Sequence, residues 1–79
     1  MNWREHIDRD PGVLGGKPKI RGSRISVELI VERLGDGWSI QELRQAYPHL
    51  TEDQIRACLT FAAEWLANSE IIDIPQSAA

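Results

Sequence analysis

The sequence predicts a mainly α domain: a small amino-terminal β-hairpin, then three helices of which the last two form a helix–turn–helix. Three observations carry this. Residues 1–25 are punctuated by Pro11, Gly12, Gly15, Gly16, Pro18 and Gly22, too densely for any helix. From Ser26 onward apolar residues recur at helical spacing. Two capping signatures, Ser39-x-x-Glu42 and Thr51-x-x-Gln54, flank Pro48. The 79 residues make one domain, divisible into an arm (1–25), a three-helix body (26–68) and a carboxyl-terminal tail (69–79).

The arm accommodates two short strands, at about Glu5–Asp8 and Lys19–Arg21. Asp10-Pro11-Gly12 signals a turn between them, and Gly15-Gly16 supplies the positive φ that a tight reversal needs. If residues 17–21 are extended, Lys17, Lys19 and Arg21 share one face while Pro18 and Ile20 share the other. Period two thus predicts charges outward and apolar groups inward.

Ser26 can cap the first helix, whose Val27, Ile30, Val31 and Leu34 form one apolar stripe. Gly35 or Gly37 ends it. The second helix begins at the Ser39 box, with Trp38 and Leu43 placed as a hydrophobic staple, and Pro48 stops it at Tyr47. The third begins at the Thr51 box, with Leu50 and Ile55 as its staple, and runs to about Asn68. On this helix Ile55, Leu59, Ala62 and Leu66 line one stripe, which Cys58, Phe61 and Trp65 widen on one side and Ala63 on the other. The resulting apolar arc of roughly 200° exceeds the ~100° stripe of an ordinary surface helix. Either Phe61 and Trp65 face a second protein, or the helix lies centrally, or the hairpin covers that edge. Beyond it, Ile71, Ile72 and Ile74 are too apolar for a solvated terminus and are expected to dock on the chain's own fold or on a partner.

Charge divides the chain. Lys17, Lys19, Arg21 and Arg24 place four cations in eight residues with no acid among them, yet the whole carries a formal net charge of −3. Such asymmetry indicates an arm that meets an anion and an acidic body that meets something else. The arm's Lys17, Lys19 and Arg21 are candidates for phosphate contact, with Arg21 the best placed to enter a groove; the plain alternative is three solvated strand charges. Arg24, beyond the strand, is expected to pair with Asp10 or Asp8 and so lock the hairpin to the first helix. The third helix exposes Asp53, Arg56, Ala57 and Thr60 with Glu52 beside them. Two acids repel phosphate there and Arg56 alone is a poor reading head, so this face ranks below the arm for DNA contact.

Several classes are disfavoured. Cys58 is the single cysteine, which excludes an internal disulfide and reads as a small buried apolar group. His6 and His49 are isolated surface or turn residues, so no metal or other cofactor is expected. No nucleophile has a base by motif, and Gly15-Gly16-Lys17 lacks the spacing of a phosphate loop, so no enzymatic activity is expected. No apolar run reaches the ~20 residues of a membrane span, and the polar amino terminus is unlike a signal peptide, which predicts a cytoplasmic protein. A chain this short hides only roughly 60–65% of its unfolded surface, so a partner subunit is expected.

The run from Asp10-Pro11 through Gly15-Gly16-Lys17-Pro18 to Gly22-Ser23-Arg24-Ile25-Ser26-Val27 resembles the signature of the bacterial domain-of-unknown-function family 433. Gly37-Trp38-Ser39-Ile40, Tyr47-Pro48-His49-Leu50-Thr51 and Phe61-Ala62-Ala63-Glu64 continue the resemblance, which covers about residues 4–66. Ser23 stands where Thr is usual, Ser26 where Pro is usual, and Lys19 where an apolar residue is common. The resemblance implies a homeodomain-like helix–turn–helix fold. It also implies a role as the antitoxin of a type II toxin–antitoxin module, partnered by a PIN-like ribonuclease toxin and binding operator DNA as a homodimer. For such a toxin, Trp65, Leu66, Ile71, Ile72 and Ile74 would be apolar anchors, with Glu64, Glu70 and Asp73 supplying charge. An interaction adaptor without DNA binding is the rival expectation.

Overall fold

The computed structural model describes residues 1–69. Two strands, β1 (Ile7–Asp8) and β2 (Lys19–Ile20), precede three helices: α1 (Val27–Gly35), α2 (Ile40–Ala46) and α3 (Glu52–Ala67). The strands pair antiparallel, with Ile7 opposite Ile20 and Asp8 opposite Lys19. The predicted architecture, three helices behind a small hairpin, is the one observed.

The helix boundaries follow from local chemistry. Ser26 Oγ accepts the Leu29 N–H and starts α1. At its other end the Gly37 N–H donates to the Leu34 carbonyl and the Trp38 N–H to the Arg33 carbonyl, the paired bonds of a Schellman stop. That stop needs left-handed backbone, which Gly37 provides at φ +96°. Both predicted capping boxes close, Ser39 with Glu42 and Thr51 with Gln54. Tyr47 to Leu50 turns the chain between α2 and α3, with the Leu50 N–H donating to the Tyr47 carbonyl.

The arm is less extended than period two predicts. Trp3–Glu5 coils into a 3-10 turn in place of the first part of the expected strand, with the Asn2 side chain accepting the Arg4 N–H. Leu14–Gly16 forms a second such turn in which all three residues have positive φ, +52°, +63° and +82°. The two glycines adopt this freely; Leu14 does so at a cost of about 1–2 kcal/mol. Past β2 the chain doubles back: the Ile20 N–H donates to the Ile25 carbonyl and the Val27 N–H to the Pro18 carbonyl. β2 is therefore clasped on both edges, and Lys19 and Ile20 are both buried. The predicted outward face of Lys19 is corrected by this: flanking backbone and the opposing Asp8 cover it.

The core comprises Ile7, Ile20, Val27, Ile30, Leu43, Leu50, Ile55, Ala57 and Cys58. On α3 the buried side is rotated from the predicted stripe. Ile55 and Cys58 are fully buried as expected and Ala57 joins them, whereas Leu59 is 43% and Leu66 66% exposed. Ala57, expected outside, is inside. The rotation has a physical cause, the packing of Trp3 and the arm against the Phe61 side of the helix. Burial pushes the Cys58 thiol up to about 12.

Candidate functional site

The arm's cations are largely committed to internal partners. Lys19 Nζ lies 2.7 Å from Asp8 Oδ1, with a side chain only 6% exposed. This follows from the strand register, which sets the two residues directly opposite. Arg21 reaches the other Asp8 oxygen at 3.6 Å and donates to the Arg4 carbonyl at 2.9 Å. Lys17 pairs with Glu28 of α1 at 3.3 Å, in the open. Arg56 is held by Glu52 one turn earlier on α3, at 2.8 Å. Each of the four residues singled out for DNA contact thus has a carboxylate beside it.

Arg24 behaves oppositely. It is exposed and makes no ion pair or hydrogen bond among the described residues, rather than locking the hairpin. The acids expected to hold it are occupied: Asp8 by Lys19 and Arg21, and Asp10 by the Gly12 N–H at 2.9 Å. Arg24 instead stands at the mouth of a cleft of about 420 Å³ between the Arg21–Arg24 turn and the Tyr47–Leu50 turn. Arg21, Arg24, His49 and Gln54 line it over a floor of Ile20, Ile25 and Leu50, and no carboxylate does. The turn that presents Arg24 is rigidly built. Ser23 N–H and Oγ–H both donate to the Ile20 carbonyl, and Ser23 Oγ accepts the Ile25 N–H. Gly22 has φ +77°, the conformation a glycine takes at the third position of a type II turn.

Phe61 is half-buried: one edge is covered from within the chain, and it also lines the groove between α1 and α3. Trp3 stands edge-on to it with ring centroids 4.9 Å apart, and the Trp3 indole N–H donates to the Glu64 carboxylate. Arg4 stacks 4.4 Å over the Trp3 ring. The hairpin side thus covers this edge, one of the arrangements left open by the sequence. Trp3 was not foreseen, because nothing in a polar amino-terminal stretch ties it to residue 61; a lone tryptophan among polar residues was the available signal. Trp65 packs edge-on to Phe61 at 5.6 Å yet remains 56% exposed. Beside it, Val27, Val31, Ala62 and Leu66 line a mainly apolar groove of about 510 Å³ between α1 and α3. Ile71, Ile72 and Ile74 lie outside the described residues.

No helix among the described residues is long and apolar enough to cross a membrane. No group of three or more His, Cys, Asp or Glu that could hold a metal ion is found among them.

Comparison with known proteins agrees with this fold. The chain is 32% identical over 59 residues to an uncharacterized protein, y4eO, of Sinorhizobium fredii; the match covers 75% of this chain and 27% of that one. The chain therefore spans about a quarter of that curated relative. A crystal structure of a DUF433 member from Anabaena variabilis superposes with a TM-score of 0.73 at 32% identity, over 78% of this chain and 61% of that one. Residues 7–62 match the model of a family described as "Protein of unknown function (DUF433)", a stretch running from β1 through most of α3. The chain belongs to the DUF433 family.

Proposed function

We propose that this chain is the antitoxin of a type II toxin–antitoxin module, a non-catalytic cytoplasmic protein that neutralises a PIN-like ribonuclease and binds operator DNA as a homodimer. The observation that carries the reading is the apolar surface exposed, among the described residues, from the middle of α3 to its carboxyl-terminal end. Leu59, Trp65 and Leu66 are 43%, 56% and 66% exposed, and Trp65 and Leu66 line the apolar groove. Glu64 lies on the same stretch of the helix, and Glu28 edges the groove. A ribonuclease binds RNA on a basic surface, so an inhibitor that is apolar and acidic matches it in both respects. The two capped helices joined by a tight turn support the DNA part of the reading.

The test is rescue of cells that express a PIN-like ribonuclease encoded beside this chain. Leu59→Lys with Leu66→Glu should abolish rescue while leaving the far-ultraviolet circular dichroism unchanged, since both side chains already face solvent. Full rescue by a folded double variant would overturn the docking surface. One observation favours the rival reading, an adaptor that does not bind DNA: Lys17, Lys19 and Arg21 all have acidic partners inside the domain. Duplex binding across a salt series separates the two.

A further inference from the structure

We infer that the cleft between the Arg21–Arg24 turn and the Tyr47–Leu50 turn holds a phosphate of a nucleic-acid backbone, with the Arg24 guanidinium as its main contact. This rests on the DNA-binding part of the reading above and moves its site away from the strand that carries Lys17 and Lys19. The first argument is electrostatic. In a chain with a formal net charge of −3, this cleft is lined by Arg24, by His49 and by Arg21, whose charge is shared with Asp8, and by no acid. Of the four cations between residues 17 and 24, Arg24 alone has no carboxylate within ion-pair distance among the described residues. A planar guanidinium free of partners is suited to bidentate phosphate contact.

The second argument is the supply of neutral donors. The backbone N–H groups of Gly22, Arg24 and His49 find no acceptor among the described residues. The Gln54 side chain spends its oxygen on the Thr51 N–H, which leaves its amide donors unspent. These neutral donors can join the guanidinium around the anionic oxygens of a phosphate. Because the Gly22 turn is fixed by its own hydrogen bonds, the Gly22 and Arg24 donors are held in place before any ligand arrives.

The third argument is continuity. Arg44 of α2 reaches the same interhelical turn from its other side, its Nε donating to the Leu50 carbonyl at 3.3 Å. Arg24 and Arg44 thus both stand beside residues 47–50, although Arg44 shares its side of the turn with Glu52. The acids Glu52 and Asp53 in the first turn of α3 keep that helix end away from phosphate. The contact therefore falls on the loop, as loops beside a recognition helix do when they track the DNA backbone.

The experiment is a fluorescence-anisotropy titration of the full chain on a labelled duplex of mixed sequence, repeated over a salt series. Arg24→Ala should weaken binding about tenfold at low salt and lower the log–log salt slope by about one. Arg24→Lys should keep the slope and lose part of the affinity. Lys17→Ala should change neither. Arg24 is exposed and makes no hydrogen bond or ion pair among the described residues, so circular dichroism and the melting temperature should match the wild type in both Arg24 variants. Unchanged affinity and slope in Arg24→Ala, with wild-type binding intact, would overturn the cleft and leave DNA binding standing. A wild type that ignores duplex at low salt would overturn both. Binding of a poly-glutamate peptide in preference to duplex would reassign the cleft to an acidic protein surface and so overturn the phosphate inference.

Discussion

Where the three helices meet, the interior is apolar: Ile30, Leu43, Ile55, Ala57 and Cys58 are fully buried. Where the arm closes on itself, ion pairs are added to the buried Ile7–Ile20 pair: Lys19 and Arg21 converge on Asp8, and Arg4 and Trp3 converge on Glu64. The difference bears on function as much as on stability. A cluster of positive charge in the sequence is ordinarily read as a surface for anions, yet here three of four clustered cations close the arm on itself and on α1. Of the four, only Arg24, past the end of the strand, is unengaged among the described residues.

The sharpest way to break the comparison is to damage each region by its own mechanism. Ile55→Ala removes a fully buried side chain from the helical core and should cost about 2–5 kcal/mol, read by urea denaturation. In a domain this small that is a large part of the total stability. Asp8→Ala should cost about 2–3 kcal/mol, because it leaves the buried Lys19 ammonium without a partner. Lys19→Met should cost less than about 1 kcal/mol, since its stem is already buried and Asp8 retains Arg21. Equal losses from the two arm variants would show that the pair, rather than the uncompensated charge, sets the cost.

Smaller changes sharpen the comparison within the body. Ser39→Ala and Thr51→Ala each remove a side-chain cap and should cost about 1 kcal/mol apiece in thermal or denaturant unfolding. The two boxes nevertheless differ in their response to acid. The Ser39 backbone N–H, and after it the Ser39 hydroxyl, hold the Glu42 carboxyl below its ordinary value. The unfolded chain therefore takes up this proton more readily than the folded one. The contribution of the Ser39 box is complete above the ordinary carboxylate range and is lost as pH falls through the lowered Glu42 value. Gln54 does not titrate, so the Thr51 box carries no such dependence. Glu42→Gln should reduce the acid-side slope of stability against pH, while Gln54→Glu should add one.

The helices were legible because their signals are local. Ser26, the two boxes and the Gly37 stop each act within about a turn of the residue that encodes them. The antiparallel hairpin was legible from turn residues in the same way. What the sequence concealed was set by contacts between distant residues. The rotation of α3, which buries Ala57 and exposes Leu59 and Leu66, depends on Trp3 packing against Phe61. The burial of Lys19 depends on strand register and on the return of residues 25–27 along the other edge of β2. The freedom of Arg24 depends on which cations reach Asp8 first, a competition that spacing alone does not decide.

The single buried thiol turns this chain into its own reporter. Cys58 is fully enclosed and its proton is held to about 12, so in the folded state it is both out of reach and in the unreactive form. An alkylating reagent at neutral pH meets it only in molecules whose α3 has separated from the rest. When reclosing outpaces modification, the labelling rate measures the population of that opened form directly. Mass spectrometry of the alkylated fraction over time would therefore weigh each substitution above without dyes, tags or denaturant. A bound partner that clamps α3 would slow the same clock by the amount of stability it adds.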